Sequence, residues 1–319
     1  MRILMICPAP PRSLYGNRVS ALRWARILRR LGHRLQIAQL YQGQPCDLLI
    51  ALHASRSADA VLRFHELHPQ KPIVVALTGT DLYRDLPRDP RARQALQLAT
   101  RMVALQPLAR LELAPHLRSK VTVIYQSAPR TPSPVRPRRR FFDVCVVGHL
   151  REVKDPLRAA LASRLLPADS RIRVTQAGTD MEEGMAEQAR AEQARNPRYR
   201  WIGGVARWRV RRLIASSRLM VLSSRMEGGA NTISEAAVDG VPVLASRIPG
   251  SVGLLGNNYP GYFPVGDAVA LARLLRRAET DRRFYAKLKA WCSSLAPMFH
   301  PARELAAWRK LLRELAAPR

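Results

Sequence analysis

Short apolar segments alternate with amphipathic segments from the start of the chain. The apolar segments of the first part predict strands at residues 2–7, 34–40, 47–52, 73–77 and 121–125. Between them, apolar residues recur at helical spacing from Arg18 until Gly32 ends the helix, and again over residues 55–68. Nearly continuous apolar strands that alternate with amphipathic helices are typical of a parallel sheet covered on both faces. This pattern predicts a Rossmann-like doubly wound domain.

A proline-rich segment separates this part from a second one with the same alternation. Residues 128–140 contain four prolines and no periodic apolar positions, so they continue neither a helix nor a central strand. The second part has predicted strands at residues 142–147, 172–177, 201–203, 219–222 and 242–245, with helices from 156, over 182–194, over 207–216 and from 231. We therefore expect an N-terminal domain over residues 1–130, a linker over 131–140 and a second Rossmann-like domain over 141–295.

Helices are predicted for the end of the chain, over residues 267–277 and 281–294 and from Pro301. The last one has its apolar residues on one face: Leu305, Trp308, Leu311, Leu312 and Leu315. We expect this C-terminal helix, within residues 296–319, to pack back toward the N-terminal domain. The predicted fold class is α/β, with two doubly wound parallel-sheet domains and a ligand cleft beyond the carboxyl ends of their strands.

The net charge of the chain is unusually high. It has 53 Lys and Arg residues against 24 Asp and Glu residues, a formal net charge of +29. Such a charge usually suggests nucleic acid or an anionic surface as partner. Only six of the basic residues are lysines, the arginines are spread over nearly every predicted helix, and no aromatic residues that would stack bases are interleaved with the longest basic cluster, 136–140. The composition favours a small anionic substrate over nucleic acid.

Nothing in the pattern predicts membrane insertion, export or metal binding. No run of 18 apolar residues exists, and the first apolar run stops at Pro8, which is too short for a signal peptide. We therefore expect a cytoplasmic protein without integral membrane contact; its oligomeric state is not indicated. The four cysteines, Cys7, Cys46, Cys145 and Cys292, lie far apart with no metal-binding spacing, so we expect buried thiols and no metal.

The densest candidate site is Arg225-Met-Glu-Gly-Gly-Ala-Asn-Thr-Ile-Ser-Glu235, which follows a predicted strand. Two glycines let the backbone approach a ligand closely, and the helix that follows offers free N–H groups to a phosphate. Two glutamates are placed to accept hydrogen bonds from ligand hydroxyls. An ordinary helix cap beside a solvated glutamate is the alternative. The spacing of both glutamates, with Gly240-Val-Pro-Val243 behind them, favours an anion site.

Glu227 and Glu235, with seven residues between them, resemble the E-x7-E signature of retaining GT-B glycosyltransferases of the glycogen synthase-like group. The resemblance implies the GT-B fold and a nucleotide-sugar donor. It implies that Glu227 contacts the donor sugar and that Glu235 holds the ribose hydroxyls. It also implies that the backbone between them binds sugar and diphosphate, through Gly228, Gly229, Ala230, Asn231 and Thr232.

Further segments are similar to motifs of the same family. Gly148-His-Leu-Arg-Glu-Val-Lys154 is similar to its G-R-L-x-x-x-K, which implies that Gly148 and Lys154 bind the diphosphate and places His149 where the family has Arg. Gly16-Asn17 is similar to the Gly-Gly loop that closes over the diphosphate. The resemblance thus implies catalytic roles for Lys154, Glu227 and His149. No D-x-D occurs, which fits a transferase that needs neither a metal nor another cofactor, the UDP-sugar being a substrate.

The acceptor-side candidates are Arg12, Arg18, His53, Thr78 and Asp81. Thr78-Gly-Thr-Asp81 is similar to the family's H-G-x-D, with Thr78 in place of the His that usually contacts the transferred sugar. Arg12 and Arg18 flank the glycine loop and are placed to meet an anionic acceptor, with solvated loop charges as the alternative. His53 ends a predicted strand, where a purely structural histidine is the alternative.

The opening 34 residues and the segments YQGQPCDLLIALHA and VVALTGTDLYRDL resemble the selenosugar synthases of selenoneine biosynthesis. That resemblance implies transfer of N-acetylglucosamine from UDP-N-acetylglucosamine to the selenium of selenophosphate. Three alternatives stay open: a GT-B glycosyltransferase with a hydroxyl acceptor, a GT-B sugar-nucleotide epimerase or hydrolase, and a basic nucleic-acid-associated protein.

Overall fold

The computed structural model describes residues 1–13, 15–132 and 140–316, which divide into two α/β units. Unit 1 comprises residues 1–126, 227–229 and 301–319, and unit 2 comprises residues 127–226 and 230–300. The expected domains ended at residues 130 and 295, and the observed division of the chain falls after residues 126 and 300. Most of the expected linker, residues 133–139, lies outside the described residues.

Unit 1 contains a parallel six-stranded sheet. Its strands are β1 (Arg2–Ile6), β2 (Arg34–Ala38), β3 (Leu48–Leu52), β4 (Ile73–Ala76), β5 (Arg101–Ala104) and β6 (Val121–Val123), joined in the order β2-β1-β3-β4-β5-β6. The helices of its first part are α1 (Gly16–Arg30), α2 (Ala58–Leu67) and α3 (Pro90–Leu98). Every residue of β3 and β4 is buried, because both faces of a parallel sheet are covered.

Helix α1 begins two residues before its predicted start. Gly16 and Asn17 begin this helix, whereas their similarity to the Gly-Gly loop implied a loop. Neither residue is buried, so the apolar pattern that predicts the helix does not include them. The helix ends as predicted, because Gly32 adopts a φ of +87°, the left-handed conformation that suits glycine after a helix.

The sequence pattern did not predict α3 and β5. Helix α3 has 9 residues and β5 has 4, which is too short for either to show a clear period. The start of α3 has a local cause, because the Asp89 side chain accepts hydrogen bonds from the backbone N–H groups of Arg91 and Ala92. An Asp-Pro pair before a short helix was therefore the available signal.

Unit 2 contains a second parallel six-stranded sheet, which confirms the predicted fold class. Its strands are β7 (Phe142–Val147), β8 (Ile172–Ala177), β9 (Tyr199–Trp201), β10 (Leu219–Leu222), β11 (Val243–Ser246) and β12 (Tyr262–Phe263), in the order β12-β11-β10-β7-β8-β9. Its helices are α4 (Arg158–Arg164), α5 (Met185–Arg195), α6 (Arg207–Ser216), α7 (Asn231–Val238), α8 (Pro249–Leu255), α9 (Ala268–Thr280) and α10 (Arg282–Leu295). The short elements α8 and β12 were not predicted.

The C-terminal helix α11 (Pro301–Ala316) belongs to unit 1, where it packs against α1. Trp308 is fully buried and meets Trp24 edge to face, with 5.0 Å between ring centroids. Glu304 is buried on the same face and accepts hydrogen bonds from Trp24 Nε1 at 2.8 Å and Arg23 Nε at 3.1 Å. The last helix of the chain thus completes the core of unit 1. Within the described ranges, none of the helices is both long enough and apolar enough to cross a bilayer.

Candidate donor and acceptor sites

The candidate residues of unit 2 lie at the carboxyl edge of its sheet. Gly148 directly follows β7, and a 3-10 turn, Glu152–Lys154, brings Lys154 beside the end of β10. A cavity at this edge is lined by Gly148, Lys154, Ser223 and Ser224, among others. The structure therefore brings together Gly148 and Lys154, which are six positions apart in the sequence, and adds two serines that no motif had indicated.

The turn that carries Lys154 is held in place by its neighbours. Ser223 Oγ lies 3.3 Å from the carbonyl oxygen of Lys154 and 2.8 Å from that of Asp155 and donates to them. Asp155 ends the turn with a φ of +43°, and its carboxylate accepts two bonds from Arg158, at 2.8 and 3.2 Å. The backbone of Lys154 is thus attached to the end of β10, and the adjacent carboxylate is paired with an arginine.

His149 is held by a neighbouring strand. Its Nδ1 accepts a hydrogen bond of 3.2 Å from the backbone N–H of Thr179, directly after the end of β8. A protonated imidazole has no acceptor nitrogen, so this bond requires the neutral ring. The structure therefore gives His149 a role in joining the ends of β7 and β8. In this bonded form it does not supply the positive charge of the arginine that the family has there.

Gly178 was not singled out by any motif, although the same edge depends on it. A Cβ at Gly178 would overlap the carbonyl oxygen of Gly148, and would lie 2.5 Å from its carbonyl carbon and 2.9 Å from Cα of His149. All three atoms belong to the backbone, so no side-chain rotation relieves the overlap. In contrast, a Cβ at Gly148 itself would meet only Lys154 Cβ, at an ordinary 3.9 Å. The protein's own packing therefore requires glycine at 178 but not at 148.

Helix α7 carries the second glutamate of the spaced pair. The helix begins at Asn231 as predicted, with Ala230 as its N-cap residue, and Thr232 in its first turn. Glu235 is buried, and its Oε1 accepts a hydrogen bond of 2.8 Å from Arg207 Nη2 on α6. Arg207 was missed because it is one of many arginines in the sequence, and only the packing of α6 against α7 distinguishes it.

In unit 1, Asp81 organises the loop after β4. It is completely buried, and its carboxylate accepts bonds from three backbone N–H groups: Thr78 at 3.0 Å, Gly79 at 2.7 Å and Ala54 at 3.0 Å. Both carboxylate oxygens are thus engaged with the protein. Asp81 thus holds Thr78 and joins the loops after β3 and β4, and its contact with an acceptor stays a prediction.

Asp81→Asn is expected to lower the free energy of unfolding by about 1.5–3 kcal/mol, because an amide group offers one acceptor oxygen where three N–H donors need two. Chemical denaturation measures this change. Asp59→Asn is the matched control, because the Asp59 side chain is 75% exposed in its ion pair with Arg91 and should change stability by less than about 0.5 kcal/mol. Equal effects of the two substitutions would contradict the positioning role.

His53 belongs to the same loop network. It is buried with a φ of +72°, its Nδ1 accepts from the N–H of Arg56 at 3.3 Å, and its Nε2 lies 3.0 Å from Thr80 Oγ1. Burial lowers the pKa of His53, although the nearby Asp81 and Asp85 partly offset this. The ring is therefore neutral at pH 7 and donates from Nε2 to Thr80. These contacts favour the structural alternative over an acceptor contact.

Glu227, Gly228 and Gly229 group with unit 1. A Cβ at Gly228 would lie 2.5 Å from the carbonyl carbon of Thr78 and 2.8 Å from the nitrogen of Gly79. A Cβ at Gly229 would lie 2.6 Å from Cβ of Leu105. That these glycines admit a ligand stays a prediction; the structure adds a packing requirement, with Gly228 against the Thr78 loop and Gly229 against Leu105. Glu227 itself is half-buried.

The remaining candidates lie near the start of α1. Arg12 is exposed with a φ of +64°, and Arg18 is half-buried in the first turn of α1. Burial raises the pKa of the Cys7 thiol, and the positive charge of Arg18 partly opposes the shift. All four cysteines are buried and unbonded, as predicted. A Cβ at Gly16 would meet no atom of the described residues within 4 Å, so packing among these residues does not require glycine there.

Comparisons with known proteins agree with this architecture. Residues 133–291 match the family described as "Glycosyl transferases group 1". HepE of Anabaena, crystallised with UDP and glucose, superposes with a TM-score of 0.77 at 15% identity over 98% of this chain and all of that one. Sucrose-phosphate synthase of Thermosynechococcus elongatus has a TM-score of 0.75 at 14% identity, over 98% of both chains. A glycosyltransferase of Rickettsia africae has a TM-score of 0.71 at 14% identity, over 100% of this chain and 99% of that one.

The two parallel sheets and these similarities define the class of protein. The chain has the GT-B glycosyltransferase fold. The match to the glycosyl transferases group 1 family, over residues 133–291, includes Lys154 and Glu235. Among the residues that the structure describes, no group of three His, Cys, Asp or Glu side chains is arranged to hold a metal ion.

Proposed function

We propose that this protein transfers a sugar from a UDP-sugar, and that unit 2 binds the donor. The observation that carries the proposal is the grouping of Gly148 and Lys154 with the two serines at the end of β10, on the carboxyl edge of the sheet. The carboxyl edge of an open parallel sheet is where such folds bind nucleotides. The UDP complexes of HepE, which has the same fold, support UDP as the nucleotide.

Each part of a UDP-sugar has a proposed partner. Lys154 and the first turn of α7, Asn231 and Thr232, carry the positive charge and N–H groups that a diphosphate needs. Glu235 accepts bonds from the ribose hydroxyls, and Glu227 contacts the sugar. Gly148 fits this assignment because no packing among the described residues requires glycine there, which leaves room for a ligand to approach the backbone.

We further propose that the sugar is N-acetylglucosamine and that the acceptor is selenophosphate, as the sequence resemblance implies. The selenium bonds to the anomeric carbon as the bond from that carbon to the β-phosphate oxygen breaks, and UDP leaves with the electron pair. Water then cleaves the selenium–phosphorus bond, which gives the selenosugar and inorganic phosphate. A small anionic acceptor suits Arg12 and Arg18, because a guanidinium binds phosphate oxygens in a bidentate manner.

Mass spectrometry of a reaction that contains UDP-N-acetylglucosamine and selenophosphate, under anaerobic and reducing conditions, tests this proposal. We expect a sugar-selenol product that depends on both substrates, together with UDP. A parallel reaction offers hydroxyl acceptors, and a third offers no acceptor. If only the hydroxyl acceptors are glycosylated, a hydroxyl acceptor replaces selenophosphate in the proposal. If free or epimerised sugar is released without an acceptor, the result favours a hydrolase or an epimerase.

Glu235→Ala is expected to weaken UDP binding by about 10- to 100-fold, because a charge-assisted hydrogen bond to the ribose contributes roughly 1.5–3 kcal/mol. Titration calorimetry with UDP measures the loss. Glu187→Ala in the same unit is the control, because the Glu187 side chain is 70% exposed on α5. Unchanged UDP affinity in the Glu235 variant would remove this residue from the donor site.

A further inference from the structure

Two ion pairs join α6 to α7 in register. Arg207 Nη2 lies 2.8 Å from Glu235 Oε1, and Arg211 Nη2 lies 2.8 Å from Asp239 Oδ2. The two arginines are four residues apart on α6 and the two carboxylates are four residues apart on α7, so each pair occupies one turn of both helices. Asp239 is the C-cap residue of α7. The two pairs differ in their surroundings.

The Arg211–Asp239 pair is part of the framework of unit 2. The side chains are 11% and 3% exposed. Asp239 also accepts from the backbone N–H of Thr131 at 2.8 Å and from its hydroxyl at 2.7 Å, and Arg211 donates to the carbonyl of Pro129 at 2.8 Å. Because all these groups are engaged with one another, this pair sets the register of α6 against α7.

The Arg207–Glu235 pair has one exposed partner. The arginine side chain is 44% exposed, and that of Glu235 is 5% exposed. Solvent screens a pair with an exposed cation, so it contributes little to the stability of the fold. The pair also affects the Glu235 carboxylate itself. Arg207 is a cation bonded to a buried carboxylate, and such a contact favours the ionised form and limits the orientations of the carboxylate.

We propose that Arg207 is a positioning residue for donor binding, which holds the Glu235 carboxylate oriented to accept the ribose hydroxyls of the UDP-sugar. This inference rests on the proposed function. The Arg211–Asp239 pair one turn further along fixes the register of α6 against α7 that places Arg207 beside Glu235. If Arg207 instead competed with the ribose for Glu235, removing Arg207 would strengthen UDP binding.

The test measures UDP binding by titration calorimetry in the full chain, using Arg207→Ala, Arg207→Lys and the control Arg212→Ala. Arg212 is exposed on the same helix, so its substitution removes the same charge without touching Glu235. We expect Arg207→Ala to weaken UDP binding by about tenfold, Arg207→Lys to weaken it by about threefold, and Arg212→Ala to leave it within about twofold. The thermal midpoints of Arg207→Lys and Arg212→Ala should match that of the wild type.

Two further measurements separate positioning from a general loss of charge. With 2′,3′-dideoxy-UDP, which lacks the ribose hydroxyls, we expect Arg207→Ala to bind as the wild type does. In a Glu235→Gln background, we expect Arg207→Ala to cause no additional loss, because coupled residues are not additive. Losses that persist with the dideoxy nucleotide, or that add to those of Glu235→Gln, would show that Arg207 acts independently of Glu235 and would overturn the inference.

The outcomes also separate this inference from the function on which it depends. If the wild-type chain does not bind UDP, the proposed function is wrong and the inference fails with it. If the wild type binds UDP and Arg207→Ala binds it equally well or more tightly, the inference alone is overturned, and tighter binding would identify Arg207 as a competitor of the ribose.

Discussion

Replacing Lys154 with alanine is expected to lower the turnover number by about 10²-fold or more, the scale of a lost electrostatic stabiliser. Negative charge grows on the diphosphate as it leaves the sugar, and Lys154 is the proposed cation at that position. The turn that carries it is bonded to Ser223, and the neighbouring Asp155 is paired with Arg158. The lysine is therefore held in place before the substrate arrives, and its contribution needs no rearrangement at the moment of reaction.

Steady-state kinetics with a saturating donor measures this effect. Lys154→Arg keeps the charge and should lose much less activity than Lys154→Ala, and Lys289→Ala, an exposed lysine on α10, should behave as the wild type. Equal turnover of Lys154→Ala and the wild type would exclude Lys154 from the mechanism.

Gly178→Ala is expected to lower the free energy of unfolding by about 3 kcal/mol or more and to weaken UDP binding by about 10²-fold. The added methyl group overlaps the backbone of Gly148, so either the end of β8 or the Gly148–Lys154 segment must move. That segment contains Lys154, which is the proposed partner of the diphosphate. Stability and donor binding should therefore fall together.

Gly148→Ala provides the contrast for this prediction. Its added methyl group meets only the Lys154 Cβ at 3.9 Å, so the free energy of unfolding should change by less than about 1 kcal/mol, while donor binding falls because the methyl group occupies the path of the ligand. Thermal unfolding and calorimetry on both variants separate the two effects. A Gly178→Ala protein as stable as the wild type would show that the edge of the sheet adapts, contrary to this account.

The regular elements of the fold were largely predictable from the sequence because their signals are local. Strands such as Leu48–Leu52 and Leu219–Leu222 are buried on both faces and therefore appear as apolar runs, and the last helix shows its apolar face directly. The elements that were missed are short: Pro90–Leu98, Arg101–Ala104, Pro249–Leu255 and Tyr262–Phe263. Such segments contain too few residues to show a period, and their neighbours in the sheet stabilise them.

The sequence by itself determined the two parallel sheets, the start of α7 at Asn231 and the spacing of Glu227 and Glu235, because apolar periodicity and motif spacing are properties of adjacent residues. Only the tertiary structure decided that Asp81 is bonded to backbone N–H groups, that Arg207 pairs with Glu235 among so many arginines, and that Gly178 has no room for a side chain. These contacts join residues that are distant in the chain: Arg207 and Glu235 are 28 positions apart, and Gly148 and Gly178 are 30 positions apart. A pattern of neighbouring residues does not indicate which distant groups the fold brings into contact.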